Sequence, residues 1–140
     1  MTVWLIRAGR AGAHARRCRD HGVIALGWPC VGDVRDQDPD DLPSAVRRFA
    51  NDIEPGDLVV TPDSPAGEVL VGEITGDYRW DAESPIPEYR HLRPVDWIDE
   101  VPKESLPARA QGTVNYYAAT VLRLKDDHPL AAFARERAVS

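Results

Sequence analysis

Leu58-Val59-Val60-Thr61, the break Pro62-Asp63-Ser64-Pro65-Ala66-Gly67 and the run Glu68-Val69-Leu70-Val71-Gly72-Glu73-Ile74-Thr75 decide the fold class. The first run is apolar and β-branched, as a strand requires. The second alternates, with Val69, Val71 and Glu73 opposing Leu70, Gly72 and Ile74. Together they predict a central hairpin. Toward the N-terminus, Pro55-Gly56-Asp57 turns into it. Ala45 to Ile53 spaces Val46, Phe49, Ala50 and Ile53 at helical intervals. Ser44, or Asp41 followed by Pro43, would start that helix. Pro29 to Asp41 is rich in Asp, Gly and Pro and reads as loop. Val23 to Trp28 predicts a buried strand, and Ala13 to His21 a helix stopped by Gly22. Thr2 to Arg7 predicts the first strand, broken by Ala8-Gly9-Arg10-Ala11-Gly12.

Toward the C-terminus, Gly76-Asp77 turns the chain and Tyr78 to Arg90 reads as a polar surface loop. His91 to Ile98 predicts a strand in which Pro94 marks an edge or a bulge. Pro102 to Leu106 reads as a short turn. Val114 to Leu124 has strand composition around Tyr116, Tyr117, Thr120, Val121 and Leu122, with a helix as the alternative. Residues 128–140 form a C-terminal helix, its apolar run reaching from Leu130 to Val139. Several short strands with two or three helices, and no βαβ alternation, predict one α+β domain over 1–140 on a curved sheet or small barrel.

The chain has 140 residues, a size that holds one core without staples. Its formal charge of -6 argues against a generic polyanion binder. Arginine nevertheless clusters early, at Arg7, Arg10, Arg16, Arg17 and Arg19, against the single acid Asp20. Acids crowd at Asp33, Asp36, Asp38, Asp40 and Asp41, which reads as a solvated loop or a protein-docking face. No apolar run approaches the roughly 18 residues of a spanning helix. The first residues lack a basic leader before an apolar stretch, so a cytoplasmic protein is expected.

No catalytic constellation is expected. Gly9-Arg10-Ala11-Gly12 is too short for a dinucleotide fingerprint or a phosphate loop, and no Gly-x-Ser-x-Gly elbow occurs. Cys18, His21 and Cys30 lack the fourth ligand of a zinc site, so no metal or other cofactor is expected. Cys30 reads as a packed thiol, and the two cysteines make no disulfide framework. Pro62-Asp63 with Glu73 suggests a metal-dependent nuclease of the PD-(D/E)xK type, but Glu73-Ile74-Thr75 lacks the lysine. Trp4 and Trp97, inside strands, read as core. Trp28 and Trp80, where strands meet loops with Tyr78 close by, suit stacking on a flat ligand or packing at the core periphery.

Three stretches taken in order resemble the N-terminal domain found ahead of some Mrr-type, modification-dependent restriction endonucleases. They are Val3-Trp4-Leu5-Ile6-Arg7-Ala8-Gly9, Gly22-Val23-Ile24-Ala25-Leu26-Gly27-Trp28, and Pro55-Gly56-Asp57-Leu58-Val59-Val60-Thr61-Pro62-Asp63. Val71 to Tyr78 and Arg93-Pro94-Val95-Asp96-Trp97 continue the likeness, which covers about residues 2–124. Val95 to Leu106 and Gly67 to Ile74 are similar to strands of YTH domains, whose plan EVE domains share. Both belong to the PUA-like superfamily. The resemblance implies a small bent β-barrel with helices packed on the outside. It also implies a modified base taken into a pocket at the barrel mouth.

Carried over by position, that pocket would comprise Arg7, Gly9, Arg10, Trp28, Asp63, Ser64, Tyr78 and Trp80. Trp28 stands at the first aromatic position, Tyr78 and Trp80 at the second, and Asp63 and Ser64 against the base edge. The expected function is a non-catalytic reader of a modified base in DNA, serving restriction or phage defence, with any cleavage from a separate nuclease. The alternatives are an RNA-binding module and a small-ligand or nucleotide-binding protein of the same fold. No membrane partner is expected.

Overall fold

In the computed structural model, residues 1–115 and 119–139 are described. Seven strands form one mixed sheet. They are β1 (Val3–Ile6), β2 (Val23–Leu26), β3 (Leu58–Asp63), β4 (Glu68–Ile74), β5 (Arg79–Trp80), β6 (His91–Pro102) and β7 (Val121–Arg123). The order is β2-β6-β4-β3-β1-β7, with β5 paired to β6. Only β1 and β3 run parallel. Four helices pack around it: α1 (Ala15–Asp20), α2 (Ser44–Arg47), α3 (Ala108–Val114) and α4 (Pro129–Val139). This is the expected α+β class, a sheet curled into a half-barrel with helices outside.

The apolar pattern explains the layering. β1 is buried along its whole length, so its two faces serve two cores. Val3 and Leu5 join Leu58, Val60, Val69 and Val71 under α3 and α4, where Leu130, Ala131, Phe133 and Ala134 cover them. Trp4 and Ile6 join Val59 and Ile74 against Cys18 of α1, Val46 and Phe49 of the second helix, and β2. The expected alternation in β4 is what divides Val69 and Val71 from Ile74.

β6 gives the sheet its curl. Its first residues pair with β2 and β5, and from Val95 onward it pairs with β4. A bulge at Val71/Gly72 leaves Ile98 without an opposite residue and bends the strand. Gly72 is required there, because a Cβ would lie 2.5 Å from Val95 Cγ1 and 2.8 Å from Trp97 Cε3. Pro94 is not on an edge strand as expected. It sits where β6 passes from β5 to β4, a position at which one ladder bond is already missing.

Other boundaries also move. β3 runs on through Pro62 and Asp63, which the sequence assigns to loop, because β1 pairs only with Leu58 to Val60 and leaves the Pro62 side open. Ser44 opens α2 rather than capping it, and Pro43 makes no side-chain cap. The helix then continues as a π-helical turn over Arg48–Asp52. Val114 ends a helix, α3, and only Val121–Arg123 of the following stretch is strand. Tyr116 and Tyr117 lie outside the described residues. Cys30 is exposed, not packed; the buried thiol is Cys18, pushed up to about 12 by desolvation.

The wide turn after α2 has a definite partner. Arg93, 1% exposed on β6, donates through Nη1 to the carbonyls of Phe49 (3.0 Å) and Ile53 (2.7 Å). Its Nε and Nη2 both donate to Gly76 O, at 3.1 and 3.0 Å. Carbonyls freed at a helix end are thus satisfied from inside the sheet. Arg93→Met would strand the buried carbonyls of Phe49 and Ile53, each costing about 1–3 kcal/mol, and free the half-buried Gly76 carbonyl. A loss of at least about 2 kcal/mol is expected in urea unfolding. An unchanged midpoint would show that the guanidinium is dispensable.

Candidate functional site

Two loops, at the ends of β1 and β2, meet Tyr89 and Thr120 from two further segments. The cavity between them is about 310 Å³ and is lined by Arg7, Gly9, Arg10, Gly27, Trp28, Tyr89 and Thr120. That volume lies at the lower end of ordinary small-ligand sites, roughly 300–1,000 Å³. Four of the expected residues, Arg7, Gly9, Arg10 and Trp28, therefore come together. Tyr89, Gly27 and Thr120 were not foreseen.

Trp28 is held in an unusual state. Its φ is 56°, in the left-handed region that a bulky residue seldom enters. Such a conformation costs about 1–3 kcal/mol and persists only where the surroundings impose it. The surroundings are identifiable. The Trp28 carbonyl accepts from Val31 N at 3.1 Å and faces His91 Nε2 at 3.4 Å. His91 is fully buried, and its Nδ1 lies 2.6 Å from the Tyr78 hydroxyl. That hydroxyl accepts from Val34 N at 3.4 Å. One tautomer satisfies every member: Val34 N–H to Tyr78, Tyr78 O–H to Nδ1, and Nε2–H to the Trp28 carbonyl. Burial keeps His91 below its ordinary value and pushes the Tyr78 hydroxyl up to about 12.

Tyr89 is fixed by a different route. Ser84 Oγ donates to Tyr89 O at 2.7 Å, Tyr89 N donates to Ile86 O at 3.0 Å, and Ile86 is fully buried. The Tyr89 ring packs over Gly27, where a Cβ would sit 3.6 Å from it. His14 meets the same ring edge-on, with centroids 4.7 Å apart at 61°. Gly9, at φ 83°, makes room for His14, since a Cβ there would fall 2.5 Å from His14 Cδ2. Two glycines thus create the space in which the rings assemble. Desolvation raises the Tyr89 hydroxyl above its usual range.

The other expected residues lie elsewhere. Asp63, 3% exposed, accepts from Arg16 Nε at 3.1 Å and caps Ala66 N at 3.3 Å, and it does not line the cavity. Ser64 is exposed in the turn after it. Tyr78 is core, and Trp80 is half-buried against that same core on β5. Tyr89, not Tyr78 or Trp80, is the second aromatic of the cavity. The arginines of α1 are also committed. Arg16 pairs with Asp63, Glu68 and Glu100, and Arg19 with Asp20 and Glu100. Arg7 donates to the carbonyls of Thr113, Val114 and Ala119, tying α3 to the cavity floor. Arg10 stands exposed at the rim. The nuclease pair fails on register. Asp63 lies opposite Glu68 and Glu73 opposite Leu58, placing the two acids about 17 Å apart along the hairpin. Among the described residues no three His, Cys, Asp or Glu side chains gather as a metal site. No helix among them is long and apolar enough to cross a membrane.

The half-barrel with helices packed around it has the YTH-like α+β fold. Residues 4–125 match the family described as a domain of unknown function (DUF8426), and the chain belongs to that family. Among solved structures, the chain is similar to the YTH domain of the Zygosaccharomyces rouxii MRB1 protein, determined with N6-methyladenosine RNA. The TM-score is 0.58 at 14% identity, over 97% of this chain and 86% of that one. It is also similar to Rpa0253 of Rhodopseudomonas palustris, with TM-score 0.52, 14% identity, and 99% and 94% coverage. For Atu2648 of Agrobacterium tumefaciens the TM-score is 0.51 at 12% identity, over 98% and 93%. A comparison with curated proteins finds no match.

The buried imidazole has a pH signature. An unfolded chain protonates its histidines near 6.5, whereas folded His91 resists protonation. As pH falls below about 6.5 the unfolded state binds the proton first, so stability declines. His128, also lowered, adds to this. Glutamine at position 91 could accept from Tyr78 and donate to Trp28 without titrating. The urea midpoint of His91→Gln should therefore drop less than that of the parent between about pH 7.5 and about pH 5.5. Equal drops would mean that His91 does not carry the effect.

Proposed function

We propose that the Trp28–Tyr89 cavity receives a single modified base and that the protein is a non-catalytic reader of modified nucleic acid. The observation that carries this reading is Trp28, strained into a left-handed backbone at the wall of an open cavity. Strain of this kind collects at ligand sites. A base leaving its stack costs a few kcal/mol, and stacking on aromatic side chains returns about 1–3 kcal/mol per base. Thr120 and the backbone at Gly9 and Gly27 offer polar groups to the base edge, and Arg10 reaches the flanking phosphate. The likeness of the fold to a YTH domain solved with N6-methyladenosine RNA supports a base as the occupant.

DNA is the first expectation, from the sequence resemblance to the restriction-endonuclease domain. The nuclease partner and the role in restriction or phage defence belong to the same proposal and rest on that resemblance alone. RNA is the second reading, favoured by the ligand of the YTH neighbour.

The test is a binding titration with matched DNA and RNA oligonucleotides, plain and carrying methylated or hydroxymethylated bases. One modified ligand should bind tightest, and Trp28→Ala should weaken it about 10-fold or more, in line with the loss of a stacked base. Trp80→Ala should bind as the parent does. Equal affinity of Trp28→Ala and parent for every ligand would remove the cavity from the function.

A further inference from the structure

A second cleft, of about 570 Å³, opens between α3, β7 and the N-terminal end of α4. Its lining includes Arg109, Arg123, Lys125 and His128, with Thr113 and Leu122, and no carboxylate. Arg109, Arg123 and Lys125 are exposed, and none joins an ion pair among the described residues. The contrast with α1 is sharp, where Arg16 and Arg19 are bound up with acids. Asp126, next to Lys125, is drawn to Arg135 at 2.9 Å. Asp127 is the acid that His128 senses, and it offsets part of the charge.

The cleft has a built wall. His128 Nδ1 accepts from Leu130 N at 3.0 Å, capping the start of α4. Its Nε2 lies 2.9 Å from Thr113 Oγ1, whose hydroxyl reaches Arg109 O at 3.2 Å. The helix end contributes its own partial positive charge. The cleft is also joined to the base cavity. Arg7 bonds the carbonyl of Thr113, and Thr120 at the cavity, just before β7, lies three residues from Arg123 at the cleft. That separation is about 10 Å, or about three phosphates of a stacked strand.

We propose that Arg109, Arg123 and Lys125 form a phosphate-binding track for the strand whose base occupies the Trp28 cavity. The proposal deepens the reading above and rests on it for the occupant. The chemistry is that of a phosphodiester backbone: repeated, sequence-independent anions meeting exposed cations beside a half-buried polar wall.

The test uses plain single-stranded DNA and RNA of about 15 nucleotides, with no modified base, titrated over a range of salt. The parent should bind these plain strands at low salt. The double variant Arg123→Ser, Lys125→Ser should bind them at least about 10-fold more weakly, its log–log salt slope shallower by about 1.4 for two lost contacts. Both substituted side chains are exposed, so its urea midpoint should match the parent's. An unchanged slope, or no plain-strand binding by the parent at low salt, overturns the track. Polyglutamate displacing the strand at equal charge concentration would overturn nucleic acid as the occupant and point to an acidic protein. Failure of the base cavity would appear separately, as indifference of modified-strand binding to Trp28→Ala.

Discussion

The buried guanidinium of Arg93 is the constraint on which the rest is arranged. A cation in a dry interior is tolerated only where it is fully hydrogen bonded. Here four N–H···O contacts to Phe49, Ile53 and Gly76 meet that demand without a carboxylate in contact. Because these carbonyls belong to the end of the second helix and to the turn after β4, one side chain of β6 locks three segments. The helix widens into a π turn at the place where Arg93 collects Phe49 and Ile53. Desolvation lowers the Arg93 value, and Asp77 and Asp57 partly counter it.

His91 stands two residues before Arg93 and, by the strand period, on the same face. The strand that fixes the second helix therefore also fixes Trp28, through a neutral imidazole between Tyr78 and the Trp28 carbonyl. The cavity wall is strained, but the strain is carried by the core rather than by a mobile loop. That is the property a preorganised stacking surface needs, since little conformational entropy is left to lose when a planar group arrives. Arg7 does the equivalent on the other side, where β1 holds the end of α3 by its carbonyls.

Local pattern carried much of the fold. Apolar runs in β1 and β3 and alternation in β4 announced a central hairpin on a curved sheet, and Gly22 at φ 64° ended α1 as expected. The errors fall where a distant partner overrides the local signal. Pro62 was read as the start of a loop and Pro94 as the mark of an edge or a bulge, because a proline removes a ladder bond. Each sits where that bond has no acceptor, which only the sheet order reveals. α3 was missed because Ala108–Val114 contains Gly112 and Thr113 and is held from outside by Arg7. At the cavity, Trp28 was legible as the end of a strand meeting a loop, whereas Arg7, Gly9 and Arg10 were named only through the family resemblance. Tyr89 was not, because its place depends on the buried Ile86 anchoring a polar loop with no periodicity of its own. Asp63 was misplaced because its buried contact with Arg16 joins residues 47 positions apart.

Charge illustrates the same lesson at larger scale. A net charge of -6 and an arginine-rich first helix suggested an acidic protein with one basic end. Folding inverts that picture. Arg16 and Arg19 are neutralised by Asp63, Glu68 and Glu100 arriving from the central hairpin and β6. The cations without an ion pair among the described residues include Arg109, Arg123, Lys125 and Arg10, which come from separate stretches of the chain. Net charge governs the long-range field, which salt screens beyond about 8–10 Å. Contact with a phosphate depends on cations within that distance, which in the proposed track are Arg109, Arg123 and Lys125 of the cleft. An acidic chain can therefore present a local basic cleft where, as between α3, β7 and α4, the lining carries no carboxylate.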